Sequence, residues 1–275
     1  MKDPAILMEP IAFLSEEVKR QTALFRNWTA RDWEKPTFCQ GWTRKHVVSH
    51  LNSGADFYQR VVSAGVKGNT RPPYGAADRK EFQKNRAARM QRLLALAPDA
   101  LVDEFEVEYN RFVRLVKSLS LEDLHLPAWH PMGLITVGHF AGMRLFELAL
   151  HDWDVRAVED AGASLRETLL TPLLRALPFM QVRFLNLRPA AKPPDGSFRF
   201  HPNESAPWAI SIRRGLADLA ETAEAEAEVK GEGDAFILHT TGRLAWREAE
   251  KQGRLSITGD REKTDQLLDA VSVIY

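Results

Sequence analysis

The stretch TVGHFAGMRLFELALHDWDVRAVED, residues 136–160, decides how this chain is read. Apolar residues occupy nearly every face of it: Phe140, Met143, Leu145, Phe146, Leu148, Leu150, Trp153, Val155 and Val158. A helix that is apolar all round belongs in an interior, so the pattern predicts a buried helix over about 136–160. Arg144, Glu147, His151 and Asp154 interrupt it at spacings of three, four and three. At about 100° per residue these four fall within roughly 80° of one another and form one polar stripe. Glu147 and His151 stand one turn apart and can aim an oxygen and a nitrogen at one point. Burying such groups costs free energy unless they find partners, and a metal ion would satisfy both. The plainer alternative is an internal Arg144–Glu147 ion pair with His151 hydrogen-bonded in the core. With 37 Asp and Glu among 275 residues, a carboxylate four residues from a histidine also arises by chance.

Working outward, the second informative segment is CQGWTRKHVVSHL, residues 39–51. Thr43 is a suitable N-cap for a helix over about 43–64 that ends near Gly65. On that helix His50 shares a face with Val47, Gly54, Phe57 and Val61, which turns it inward. A lone histidine on an apolar face is commonly a satisfied core residue. His46, one turn earlier, offers an alternative pair with His50, but Arg44 and Lys45 put the first turn near solvent. Facing helices of a bundle build metal sites from inward side chains. His50 with Glu147 and His151 would supply two imidazoles and one carboxylate and leave a coordination position open, as catalytic sites do. Cys39 has no sequence-local base and reads as a packing residue. Asp154, on the ligand stripe, is the better candidate for supporting a ligand than Asp152. His125, His130, His139, His201 and His239 have no motif context.

The rest of the chain falls into two unlike parts. Residues 8–27 have helical spacing, 33–42 read as a loop, and a further helix begins near Ala76, is interrupted or restarted at Pro98 and runs to about Leu119. Pro127, Pro131 and Gly133 break the next stretch, and a helix over about 165–186 follows the one at 136–160. RPAAKPPDG, 188–196, is the best linker candidate. Beyond it Trp208, Ile210 and Ile212 alternate with Ala209, Ser211 and Arg213, and AEAEAEV, 223–229, alternates alanine with glutamate. Both patterns predict strands, although Ala and Glu also favour an acidic helix at 223–229. LSITGD, 255–260, predicts a short strand and turn before a helix at 261–273. The expected domains are therefore 1–187, a helical metal-binding bundle, and 197–275, a small α+β domain. Trp208 and Trp246 could wall a cleft over the metal, but tryptophan in a small domain is more often core.

Composition narrows the partners. Lys+Arg and Asp+Glu are both 37, for a net charge of zero, so no general electrostatic grip on nucleic acid or anionic lipid is indicated. No apolar run approaches the ~20 residues that cross a bilayer. The N-terminus meets acidic residues and proline too early for a secretory signal, and the single cysteine cannot form an internal disulfide. A reducing cytoplasm fits best. Nothing in the sequence sets an oligomeric state.

Joined together, the stretch from Trp33 through CQGWT to HVVSHL and MRLFELALHDWDVR resembles the mycothiol-dependent maleylpyruvate isomerase family. The likeness covers nearly the whole chain and is weaker at TGRL, 241–244, and GRLSITGD, 253–260. It implies a DinB-like four-helix bundle followed by a small sterol-carrier-like domain, with His50, Glu147 and His151 as ligands of a divalent metal, zinc by chemistry. It also implies a low-molecular-weight thiol such as mycothiol as cosubstrate, and an isomerase or S-transferase acting on a small electrophilic molecule. Arg144, on the ligand stripe, would orient a substrate carboxylate or support Glu147. One departure stands out: the family often has an acid four residues before the ligand histidine, where this chain has His46, so maleylpyruvate specificity is not carried over. Competing readings are a metal-assisted hydrolase on the same site and a non-catalytic protein binding a metal or an apolar ligand.

Overall fold

A computed structural model of the chain describes residues 4–187, 193–220 and 225–272. It divides into two compact units, residues 1–164 and 165–275. No helix among the described residues is long and apolar enough to cross a membrane.

The first unit is built from α1 (Pro4–Arg26), the short α2 (Ala30–Trp33), α3 (Arg44–Val66), α4 (Arg79–Leu94), α5 (Pro98–Lys117) and α6 (His139–Arg156). Helices α1, α5, α3 and α6 form a closed ring in which each packs on two others, a four-helix bundle, and α4 lies against α3. The expected helix from Ala76 to Leu119 is two helices: Asp78 caps α4, and Pro98 occupies the first turn of α5, where its missing N–H costs nothing. The core between them is aromatic, with Phe105, Tyr109, Phe112 and Phe140 fully buried. The helix expected at 136–160 starts later, because Ile135–Thr136 pair as strand β2 with β1, Pro127–Ala128. Strands of two residues are too short to show a period.

The second unit holds α7 (Glu167–Leu187), β3 (Gly196–Pro202), β4 (Trp208–Arg213), β5 (Leu216–Ala220), β6 (Ala227–Gly231), α8 (Gly233–Thr240), α9 (Trp246–Lys251), β7 (Leu255–Gly259) and α10 (Arg261–Val271). The sheet order is β5-β4-β3-β6-β7, antiparallel except for the β3–β6 pair. The strand expected at 223–229 is observed as β6, with residues 223 and 224 outside the described residues. The linker expected at 188–196 also lies partly outside them.

The boundary differs from the expected one at 187/197. Helix α7 packs on β4, β5, α8 and α10, so the break precedes it. The reason is specific polar pairing as well as leucine burial. The Asn186 amide exchanges hydrogen bonds with the backbone of Ala217 on β5 at 2.8 and 2.9 Å. Gln181 accepts from Trp208 Nε1 at 2.9 Å and donates to Thr240 Oγ1 at 3.0 Å. Trp208 is thereby a core residue, as is Trp246, whose Nε1 donates to Asp269 at 2.7 Å.

Candidate metal centre

Helices α3 and α6 pack side by side and bring three donor side chains together. His50 Nε2 lies 2.9 Å from Glu147 Oε2, and His151 Nε2 lies 3.6 Å from the same oxygen. One ligand atom from each of the three falls within 4.8 Å of the others. The His50 and Glu147 side chains keep 22% and 28% of their exposure. His151 is buried behind them. The centre therefore has one open side.

The rest of the α6 stripe is connected to it. Asp154, fully buried, faces His151 Nδ1 at 2.8 Å. A carboxylate on Nδ1 fixes the ring and directs Nε2 at Glu147, the support that metal-bound histidines usually have. The Cys39 thiol donates to the same Asp154 oxygen at 3.3 Å. Arg144 Nη2 donates to Glu147 Oε2 at 3.3 Å from below. Its guanidinium is 1% exposed and lies over the rings of Tyr58 and Tyr109 at 5.1 and 5.7 Å. The alternative of an Arg144–Glu147 contact is thus observed, and Arg144 is placed to support Glu147 rather than to meet a substrate carboxylate. Asp152 points elsewhere, pairing with Arg20 at 2.5 Å and Arg156 at 3.0 Å.

The loop between α2 and α3 supplies the wall. Trp42 N donates to Cys39 O at 2.9 Å, and Gly41 between them takes a φ of +78°, which suits glycine at the third position of a type II turn. Phe38 N donates to the Asp154 carbonyl at 2.9 Å and ties the loop to α6. The Trp42 ring then lies 5.1 Å from the His50 ring and stacks on His151 at 6.1 Å. His46, which departs from the family pattern, acts within its own turn, where its Nδ1 accepts from the Thr43 N–H at 3.2 Å. That is the role glutamate plays in a capping box, so His46 caps α3 and the His46/His50 metal pair is not formed.

Electrostatics separate the two imidazoles. Burial holds His50 down at about 4, against the pull of Glu147, so its ring is neutral near pH 7. Burial also opposes charge on His151, but the Asp154, Cys39 and Glu147 contacts outweigh it and raise His151 to about 10. Glu147, despite its burial, is held well below the usual carboxylate range by His151, His50 and Arg144. Metal ligation requires neutral imidazole. Loading the metal-free protein at pH 8 is therefore expected to release about one proton per site, from His151. Affinity should rise with pH up to about 10, where the proton is already lost. An indicator dye during metal titration measures the release; none at pH 8 would contradict it.

The donor set fits a divalent cation: two imidazole nitrogens and a carboxylate at zinc-site spacing, one imidazole backed by a buried carboxylate. A second group, Cys39, His151 and Asp154, also lies within 4.8 Å and is linked by thiol–carboxylate and imidazole–carboxylate hydrogen bonds. Asp154→Asn is expected to weaken metal binding about 10- to 100-fold, measured by chelator competition. Unchanged affinity would assign Asp154 to packing alone.

The sequence profile of the mycothiol maleylpyruvate isomerase N-terminal domain matches residues 14–156. The crystal structure of a histidine-to-alanine mutant of the mycothiol-dependent maleylpyruvate isomerase is 15% identical, with a TM-score of 0.62 over 92% of each chain. The unmutated enzyme is 17% identical, with a TM-score of 0.59 over 87% of this chain and 90% of its own. Likeness at these identities is a likeness of fold. No curated protein sequence matches the chain.

Proposed function

Since the chain belongs to the family defined by the mycothiol maleylpyruvate isomerase N-terminal domain, we propose that it is a metal-dependent enzyme using a low-molecular-weight thiol, mycothiol or a relative. Its reaction is isomerisation of a small electrophilic molecule or S-transfer to one. The observation that carries this reading is the convergence of His50, Glu147 and His151 with one side left open.

The chain's own residues divide the work. His50 is neutral near pH 7 and in its Nδ1–H tautomer would offer the Nε2 lone pair, on the side facing Glu147, to a metal. Asp154 sets the direction of His151, and Arg144 positions Glu147, which His151, His50 and Arg144 together keep ionised. A divalent cation, zinc by this donor set, would supply Lewis acidity that keeps a bound thiol deprotonated, although a free thiol has a pKa near ~8.5. Cys39 is not the nucleophile, because its thiol is committed to Asp154. The cosubstrate's sulfur adds to an electrophilic carbon. For isomerisation, rotation about the former double bond and loss of the same sulfur return the thiol. For transfer, a leaving group departs and the C–S bond remains. Trp42, stacked on the His151 ring and tilted against that of His50, keeps one side of the centre apolar. The single cysteine of the chain agrees with a reducing cytoplasm, where such thiols are held reduced.

Thermal-shift screening of the zinc-loaded protein against mycothiol, bacillithiol, glutathione and ergothioneine tests the reading. One thiol should raise the Tm of the wild type but not of His50→Ala. Turnover of an ester or amide with no thiol present would instead favour a hydrolase on the same centre.

A further inference from the structure

We infer that Arg86 of α4 is the residue that receives a carboxylate of the small molecule handled at the His50/Glu147/His151 centre. The inference rests on the proposed function for the existence of such a substrate, and it is drawn from the packing of α4 on α3.

Three residues of α4 face α3. Phe82 is 1% exposed and packs its ring 5.0 Å from Phe57. Arg89 is fixed by Asp56 of α3 at 3.2 Å. Arg86, one turn after Phe82, has its guanidinium 5.7 Å from the Phe57 ring. A cation–π contact occupies the face of the guanidinium and none of its N–H groups. Among the described residues Arg86 makes no hydrogen bond or ion pair through those groups. It is alone in this within its surroundings. The other arginines of the first unit without an ion pair, Arg31, Arg71, Arg79 and Arg114, are exposed to solvent, whereas Arg86 is half-buried.

Its position relative to the centre follows from α3. His50 and Phe57 are seven residues apart, two turns on one face, or about 10 Å along the axis. A small carboxylate-bearing substrate joined to its thiol covers that span. The planar guanidinium fork with its N–H groups uncommitted suits a carboxylate or similar oxyanion. Arg144, the arginine suggested by the α6 stripe, cannot take this part, because it is 1% exposed and committed to Glu147.

The test is binding without a thiol. Maleate and its dimethyl ester are titrated into the zinc-loaded protein by calorimetry, with wild type, Arg86→Met, Arg86→Lys and Lys80→Met, an exposed control on the same helix. Arg86→Met should weaken maleate about tenfold or more, leave the ester unchanged and melt as the wild type does. Arg86→Lys should recover only part of the affinity, because an ammonium lacks the planar fork, and Lys80→Met should keep all of it. Equal maleate affinity in wild type and Arg86→Met overturns the assignment. So does a wild type that binds the ester as well as the diacid, or binds neither. Loss of the thiol-dependent reading would show separately, as turnover that needs no thiol, and would leave the binding result standing.

Discussion

Replacing His50, Glu147 or His151 by alanine is expected to take the metal content from one ion per chain to near zero and to lower thiol-dependent turnover at least about a thousandfold. A three-residue donor set already leaves a position open for a ligand, so removing one member leaves two protein donors, too few for a tight site. The three variants should differ in fold stability. His50 is partly exposed, and its loss uncovers little apolar surface, whereas Glu147→Ala leaves the buried Arg144 guanidinium without its carboxylate, which costs about 3–5 kcal/mol. His151 is buried and bonded to Asp154, so His151→Ala leaves a buried carboxylate without its imidazole partner, which costs about 1–3 kcal/mol. Metal analysis of the dialysed proteins, with melting curves of the metal-free forms, separates the two effects. Full metal content in any of the three would remove that residue from the ligand set.

The second large effect is at Gly54. A Cβ placed there would sit 1.9 Å from Arg144 Nη1 and 2.9 Å from its Cζ. The tip of an arginine ordinarily swings aside. This one lies over Tyr58 and Tyr109, is fully buried and donates to Glu147. Alanine in a helix interior normally stabilises relative to glycine by about 0.5–1 kcal/mol. Here Gly54→Ala is expected to destabilise by about 3 kcal/mol, the overpacking range, and to lower the Tm by about 6–12 °C. It should also weaken metal binding, because Arg144 positions Glu147. In an Arg144→Met background the same substitution should cost far less, and the difference measures the coupling. A neutral or stabilising Gly54→Ala would show that the two helices do not approach as closely as described.

The candidate centre was largely legible because helical periodicity carries it. The spacing of Arg144, Glu147, His151 and Asp154 sets one stripe, and the side chains do link in that order along α6. The face shared by His50, Gly54 and Phe57 turned inward for the same reason. What pattern could not show was burial. Arg144 read as a charge near ligands, and only its 1% exposure makes it a support for Glu147. Cys39 gained a partner 115 residues away in Asp154, a distance over which no local motif operates. Gly54 read as one more small residue on an inward face. Arg86 was hidden in the run RKEFQKNRAARMQRLL, where four arginines look alike until packing distinguishes them. The domain boundary moved because amphipathicity shows that α7 is buried on one side, but not on which unit. Asn186 and Gln181 decide that through pairs with β5, β4 and α8.

Everything proposed for this chain depends on the side chains of 50, 147 and 151 closing on one ion. The direct measurement is a crystal structure of the protein loaded with zinc, with an anomalous map at the zinc edge. One peak is expected between α3 and α6, bonded to His50 Nε2, Glu147 and His151 Nε2, with Asp154 still on His151 Nδ1. A peak bonded to Cys39 and Asp154 instead, or no peak between the two helices, would contradict it.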